Sequence, residues 1–443
     1  MLLLASFLPR SKPSTRFSSL MKKITIDISP LRKYRDFRLI WSAGFVSYFG
    51  SMITYVALPF QIKELTNSYI AVGLMGAVEL IPLIVFSLYG GVLADSVDRK
   101  RMVILAEFLA LLISTMLLIN SLLPHPKLLF IYIAAGCFSS LDGIQRPSLD
   151  SLLPRIVGHE DLPNASALMS LRSQFGSITG PSVAGVLVSV FSVSAGFSVD
   201  VISYVISLFL LIKIAKYPPL SKSTAPKFQS LIEGIKYAGS RKDLLGTYLV
   251  DMAAMFFAMP TALFPFWADS LHARWALGFF YAAGTVGALV ITLFSRWINH
   301  YPKHGRAITL AAIAWGVSIS LAGATSSLWL IIFFLALAGA ADMVSALFRS
   351  AMWNQSIPDE FRGRLAGIEL LSYATGPLGG QMRAGSMAAW TSLRTSIIGG
   401  GILCVGFVSL AATALPKFRH YDVRTNEYAL RQQEIRMKDS QEK

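Results

Sequence analysis

The chain has 443 residues, of which 54% are apolar and only 15% charged, and it carries a formal net charge of +15. A charged fraction so far below the roughly 25% of soluble domains excludes a soluble enzyme, whereas twelve membrane-crossing helices of about 20 residues need about 240 positions, close to what the apolar fraction supplies. No HExxH, CxxC, GxSxG or GxxxxGKS/T string occurs, so metal, nucleotide and nucleophile chemistry have no support, and neither a cofactor nor an enzymatic activity is expected.

Residues 2–9 are apolar, but no basic segment precedes them and the run is shorter than a helix, which argues against a cleaved signal peptide. Met21 opens MKKITIDISP and is an alternative start, with residues 1–20 then an extension. Apolar runs between polar or Pro/Gly breaks give spans at 37–61, 70–94, 102–123, 128–152, 165–191 and 194–214. Cys137 and Cys404 lie inside apolar runs and imply no disulfide. Residues 215–245 break the series with Pro and Ser before an amphipathic stretch at 228–237, which reads as a linker with a surface helix. Six further spans follow at 246–268, 275–298, 306–325, 327–352, 364–388 and 395–415. From Lys417 the tail is charged and too poor in apolar residues for a core, so it is solvated or a short helix.

The expected fold is therefore all-α, a polytopic membrane protein of twelve transmembrane helices in two pseudo-symmetric six-helix bundles. Its parts are a basic N-terminal tail at 1–36, bundles at 37–214 and 246–415, the linker at 215–245, and a C-terminal tail at 416–443. Placing the N-terminus in the cytoplasm puts 32 Lys and Arg on inside segments and only Lys63, Lys127, Arg274 and Arg394 outside. That split predicts both termini in the cytoplasm, and it explains the net charge as topology and attraction to the lipid bilayer, with no nucleic-acid partner. Arg146, Arg172, Arg349 and Arg383 remain within spans.

The halves resemble each other. Ala71-Val-Gly73-Leu opens span 2 and Ala276-Leu-Gly278-Phe opens span 8, an offset of 205 that also carries Arg101 onto Arg306. Spans 4 and 10 each hold an Asp followed by an Arg, Asp142 with Arg146 and Asp342 with Arg349, and spans 5 and 11 both contain Thr-Gly-Pro, at 179–181 and 375–377. Two like halves of the same orientation joined by a linker are a secondary-transporter architecture.

The loop after span 2 reads Gly90-Gly91-Val-Leu-Ala-Asp95-Ser-Val-Asp98-Arg99-Lys100-Arg101. It resembles the loop 2-3 signature of the major facilitator superfamily, Gly-x-x-x-Asp-(Arg/Lys)-x-Gly-Arg-(Arg/Lys): Gly91, Asp95, Arg99 and Lys100 match, while Ser96 and Asp98 depart. The resemblance implies a gate on the cytoplasmic side, with Asp95 facing the positive end of span 11, about half a unit charge. The plain alternative is that these charges only fix topology. Span 5 reads Gly176-Ser-Ile-Thr-Gly180-Pro181-Ser-Val-Ala184-Gly185 and is similar to the Gly-x-x-x-Gly-Pro-x-x-(Gly/Ala)-Gly motif of that superfamily's exporters. Glycines four apart make a flat packing face and Pro181 removes a backbone hydrogen bond, but that chemistry is blind to direction, so export is implied by the resemblance alone.

Ionisable groups inside the membrane are costly and are functional candidates. Glu79, Asp142, Asp200, Asp251 and Asp342 qualify. Asp142 and Arg146 are one turn apart, so they could be a structural pair, as could Asp342 and Arg349. Glu79 has no basic residue within a turn and lies near mid-span, which makes it the first candidate for a proton-coupling carboxylate; satisfaction by a neighbouring helix is the competing reading. Tyr48, Tyr55, Phe256, Phe257, Phe264, Phe266, Trp267, Phe279 to Tyr281, and Tyr373 cluster on spans that would line a cavity for a bulky, partly aromatic substrate, although aromatics also face lipid.

A closer resemblance covers the first four spans. Phe37-Arg38, 56–62 (VALPFQI), Val72-Gly73-Leu74, the 90–95 run, Arg99-Lys100, 123–128 (LPHPKL) and Ile131-Tyr132 resemble the enterobactin-exporter family, with Tyr281-Ala-Ala283 in the second half. It implies a bacterial inner-membrane exporter of a small-molecule siderophore by proton antiport, with an outer-membrane export partner to receive the cargo. Macrolide or multidrug efflux and lysophospholipid flipping are the alternatives. An importer would want polar mid-span residues that are not seen.

Overall fold

The computed structural model describes residues 27–96, 99–215, 236, 237 and 239–441. Twelve long helices cross the molecule: α1 Arg35–Thr66, α2 Tyr69–Ser96, α3 Arg99–Leu122, α4 Leu128–Ile156, α5 Leu162–Val186, α6 Val193–Ile212, α7 Lys242–Ala258, α8 Leu277–Leu293, α9 His304–Ala324, α10 Leu328–Ser356, α11 Asp359–Trp390 and α12 Leu393–Ala414. Eleven described helical segments are long and apolar enough to cross a bilayer. The twelfth crossing, α11, has 32 residues and packs on α2 of the first half and on α7 and α12 of its own, with Gln381 buried. Each expected span coincides with one of these helices to within about five residues at the ends, except 246–268, whose second half leaves α7.

Twelve traverses bring the chain back to the face where it began, here called the tail face; the opposite one is the far face. The packing repeats between halves. In the first, α1 packs on α5 and α6, α2 on α4, and α3 on α4 and α6; in the second, α7 packs on α11 and α12, α8 on α10, and α9 on α10 and α12. Caps repeat as well: the hydroxyl oxygen of Ser192 accepts from Ala195 N–H to start α6, and that of Ser392 accepts from Thr395 N–H to start α12, both at 3.1 Å. The halves meet where α2 lies along α11 and α5 along α8.

Sequence chemistry explains the local departures. Met259, ahead of Pro260, is extended (φ −95°, ψ 104°), because a residue before proline is pushed out of the helical region. The expected span 246–268 is therefore α7, a 3₁₀ turn at Thr261–Leu263 and a short helix Phe264–Ser270. Tryptophans mark the membrane edges: Trp275, Trp329 and Trp390 at the far face and Trp297 at the tail face are all exposed, as an aromatic girdle requires.

The largest apolar core draws on both halves and includes Ile53, Phe60, Val72, Phe264, Phe280 and Ala384, whereas near the tail face the first half has clusters of its own, around Ile40 and Leu211 and around Phe37 and Leu168. The C-terminal segment folds back on the second bundle. Phe418, fully buried, fills the space left by Gly246 of α7 and Gly305 of α9. A last helix, α13 Glu427–Gln441, docks with the Tyr428 ring 3.4 Å from the Arg241 guanidinium carbon and Arg436 donating to Asn354 O at 2.8 Å.

Candidate functional site

Helix α2 shows why Glu79 points inward. Gly73 and Gly76 abut α11, and Val78 and Pro82 abut Gly136 of α4. Leu74 and Ile81 are exposed on a third side, leaving the fourth, with buried Val72 and half-buried Glu79 one heptad apart, turned to the interior. The Glu79 backbone oxygen accepts from Ser139 at 2.7 Å, and its carboxyl has no hydrogen-bond or ion-pair partner among the described residues. Asp142 of α4, Tyr55 of α1 and Tyr281 of α8 lie within its electrostatic reach. Tyr55 and Tyr281 meet edge to face at 5.5 Å across the two halves. Tyr281 also donates to Thr261 O at 3.1 Å and packs on Phe264 at 4.9 Å. An acid near an aromatic bridge between the halves is an arrangement that can accept hydroxyl hydrogen bonds and stack on a ring.

The span 5 motif divides its glycines between two neighbours. A Cβ on Gly176 would come within 2.5 Å of the Tyr48 ring, and one on Gly180 within 2.5 Å of Met52 Cβ, so both seat α5 on α1. Tyr48 OH and Ser177 Oγ share a 2.8 Å hydrogen bond there. Gly185 instead faces Gly278 of α8, which in turn lies on the Pro181 carbonyl. The Thr-Gly-Pro repeat packs alike: Gly376 of α11 sits on Met252 and Met255 of α7, as Gly180 sits on α1.

Gly73 and Gly278, matched by the sequence repeat, occupy equivalent crossings. Gly73 meets Gly385 of α11 and Gly278 meets Gly185 of α5, backbone against backbone. Both lie at the far face. Beyond them is a ring of four charges that sequence reasoning did not assemble. Buried Lys63 bonds Asp269 and also Glu64 (2.8 Å), while Arg274 reaches Asp269 at 2.5 Å and Glu64 at 3.5 Å. Two members come from α1 and two from the α7–α8 connection, so the ring ties the halves together. Tyr69 on Phe266, 4.3 Å between centroids, adds an apolar tie beside it. Lys63 and Arg274 were legible only as outside charges.

In the second half, Arg349 of α10 pairs with Asp251 of α7 and stands 3.9 Å from Asp342. The expected Asp342–Arg349 pair is therefore the looser contact, because Asp251 approaches across the helix packing. Phe257 stacks on Phe407 of α12 at 4.3 Å, a contact within the second bundle; Phe256 covers Gly379 of α11. Arg383 donates to Ser396 O at 3.1 Å. Asp200, expected in the cavity, is fully buried between α1, α3 and α6. Lys100 donates to the carbonyls of Ile212 (3.0 Å) and Ile214, closing the end of α6. The side chains of Gly91, Asp95, Arg99, Arg146 and Tyr373 lie outside the described residues.

The family described as transmembrane secretion effector, within the major facilitator superfamily, matches residues 25–442. The chain belongs to this family. Two curated relatives are the enterobactin exporters EntS of Shigella dysenteriae serotype 1 and of Escherichia coli strain K12, each 29% identical over 403 residues, covering 89% of this chain and 95% of the relative. Among solved structures, a POT family transporter in complex with 5-aminolevulinic acid superposes with TM-score 0.70 at 13% identity, covering 87% of this chain and 97% of the other. A bacterial homologue of the iron transporter ferroportin, in an inward-facing state, gives TM-score 0.65 at 15% identity, with 87% and 98% covered. The family member described here is thus a multi-pass membrane exporter of the major facilitator fold and not an enzyme.

Proposed function

We propose that this chain exports a catechol-bearing siderophore such as enterobactin across a bacterial inner membrane, driven by proton antiport. The observation that carries the reading is similarity to enterobactin exporters along 89% of the chain. The cleft supports it: the Tyr55–Tyr281 bridge offers ring stacking, and Glu79 and Asp142 offer acceptors for phenolic hydroxyls. In this reading both termini are cytoplasmic, the far face is outermost, and the molecule is drawn in the state that loads cargo from within. Domain limits at 1–36, 37–214, 215–245, 246–415 and 416–443 are proposed with it, as is a gate formed by Gly91, Asp95, Arg99 and Lys100, which would close the cytoplasmic side when the far face opens. An outer-membrane export partner would receive the cargo.

Expression in a bacterium lacking its own enterobactin exporter tests this: restored secretion of iron-free enterobactin is expected. Unchanged secretion with raised macrolide tolerance would point to drug efflux instead. The flippase reading draws on a groove of about 510 Å³ between α2 and α4, lined by Ile81, Val85, Ile133 and Cys137. Lysophospholipid transfer by the purified protein, with no enterobactin transport, would favour it.

A further inference from the structure

Helices α3 and α6 run antiparallel, and their polar residues meet two turns apart along one edge. Lys100 bonds the Ile212 and Ile214 carbonyls, Ser207 donates to Glu107, Ser114 donates to Asp200 at 2.5 Å, and Ser121 donates to Ser194 at 3.0 Å. Positions 100, 107, 114 and 121 of α3, a seven-residue repeat, thus face 214, 207, 200 and 194 on α6 and the residues just after it, spaced seven, seven and six. Glu107 and Asp200 are buried in this seam, 5% and 0% exposed. Thr54 of α1 also donates to Asp200 (2.6 Å), and Gln145 of α4 to Glu107 (3.2 Å).

The other half supplies an internal control. Its equivalent seam, α9 against α12, closes with Gly316 on Gly401, Cys404 Sγ on Ala312 O (3.6 Å) and Ser320 on Ile398 O (3.1 Å), and neither helix contains an acid. Carboxyls are not what this packing needs. A second observation concerns Asp200 itself: Oδ1 is buried over Gly50 without a hydrogen-bond partner. An anionic oxygen in that setting is costly, and a bound proton removes the cost.

The surroundings connect the seam with α1, α4 and α5. Asp200 faces Thr54 of α1, Ser114 and Glu107 of α3, and Tyr204 on its own helix, whose hydroxyl shares a 2.8 Å hydrogen bond with Ser51 of α1. Glu107 faces Ser207, Gln145 and the Arg172 guanidinium of α5, and Arg172 in turn lies near Tyr48. Asp142 of α4 is in electrostatic reach of Tyr204.

We propose that Glu107 and Asp200 are the proton-carrying pair of the export cycle, set within the first bundle and linked to the cleft through Arg172 and Tyr48. The inference rests on the antiport reading above. A carboxylate oxygen takes a proton from water on the side where cargo leaves and returns it to water on the side where cargo loads; only O–H bonds form and break.

The test uses full-length protein and iron-free enterobactin. In lightly buffered detergent solution, cargo binding to the wild type is expected to release protons, and Glu107→Gln with Asp200→Asn is expected to abolish the release. In proteoliposomes the same double variant should lose accumulation driven by a pH gradient while keeping exchange of labelled for unlabelled cargo, which needs no gradient. Ser114→Ala and Ser207→Ala keep both acids and remove seam bonds; they should retain gradient-driven accumulation. Serine variants as impaired as the acid variants, or acid variants that still accumulate cargo, would overturn the pair. So would loss of proton release in Glu79→Gln alongside its retention in the acid variants. A wild type that transports enterobactin without moving protons would instead remove the antiport reading, and the pair's role with it.

Discussion

Arg349 is a buried charge of the second bundle, 5% exposed and paired with Asp251, itself 7% exposed. Removing Asp251 takes away the nearest carboxylate of Arg349 while Asp342 stays at 3.9 Å, so the cost should lie within the about 3–5 kcal/mol of a fully broken buried pair. Asp251→Ala should therefore lower the melting temperature of the detergent-solubilised protein strongly, and adding Arg349→Ala should recover part of the loss. Glu79 has a different expectation, because its carboxyl has no hydrogen-bond or ion-pair partner among the described residues and, in the export reading, accepts from cargo. A hydrogen bond to a charged acceptor is worth about 1.5–3 kcal/mol, so Glu79→Gln should weaken enterobactin binding by at least about tenfold, readable by tryptophan quenching, with no loss of melting temperature. Sequence alone singled out Glu79 and Asp251 because an acid amid apolar residues is conspicuous one position at a time. Glu107 escaped notice since it stands close to Arg99-Lys100-Arg101 and reads as an interfacial charge. Its signal was the seven-residue spacing with Ser114, which gains meaning only when α6 is laid beside α3.

At the level of elements, the helices were legible from hydropathy because a bilayer demands about 20 apolar residues per crossing. Their breaks were less so: Pro260 and Pro265 read as ordinary span residues until the extended Met259 shows where α7 stops. The docked C-terminal segment was equally hidden, since its buried anchors, Phe418 and Tyr421, are isolated apolar residues in a charged tail. Phe418→Ala should cost about 3–5 kcal/mol by leaving a cavity between α7 and α9, seen as a lower melting temperature and faster proteolysis after α12. The turn beyond it is pH-sensitive. Arg424, bonded to Asp422 at 2.9 Å, holds that carboxyl at about 2. A depressed folded value means the bond stabilises the turn above the ordinary carboxylate range near 3.8 and is lost as pH falls toward 2. Because Arg424 is well exposed to solvent, which screens the pair, the effect should stay below about 1 kcal/mol. Hydrogen exchange of 420–426 between pH 5 and pH 2 measures it, and Asp422→Asn should flatten the dependence.

For the whole molecule, the closed far face is a balance between its ties and the contacts of the opposite state. The ring of Lys63, Glu64, Asp269 and Arg274 is the tie most easily altered. Lys63→Asp should favour the state open at the far face, and Asp269→Lys added to it should restore closure by exchanging the charges. Distances between spin labels at 68 and 391, on a background lacking Cys137 and Cys404, report the shift; no change in the single variant would deny the ring a closing role. The two-fold repeat was visible in the sequence as the 205-residue offset, but not which face would be shut, because one set of residues must serve both states and hydropathy is the same in each.

Where Gly73 meets Gly385, and Gly278 meets Gly185, the shutter is bare main chain. Such a contact carries no side chain of its own, so the chamber can be remodelled for new cargoes without touching it. Transplanting Tyr48, Tyr55, Glu79 and Tyr281 from one relative into another should accordingly transfer cargo preference without rebuilding the machinery of motion.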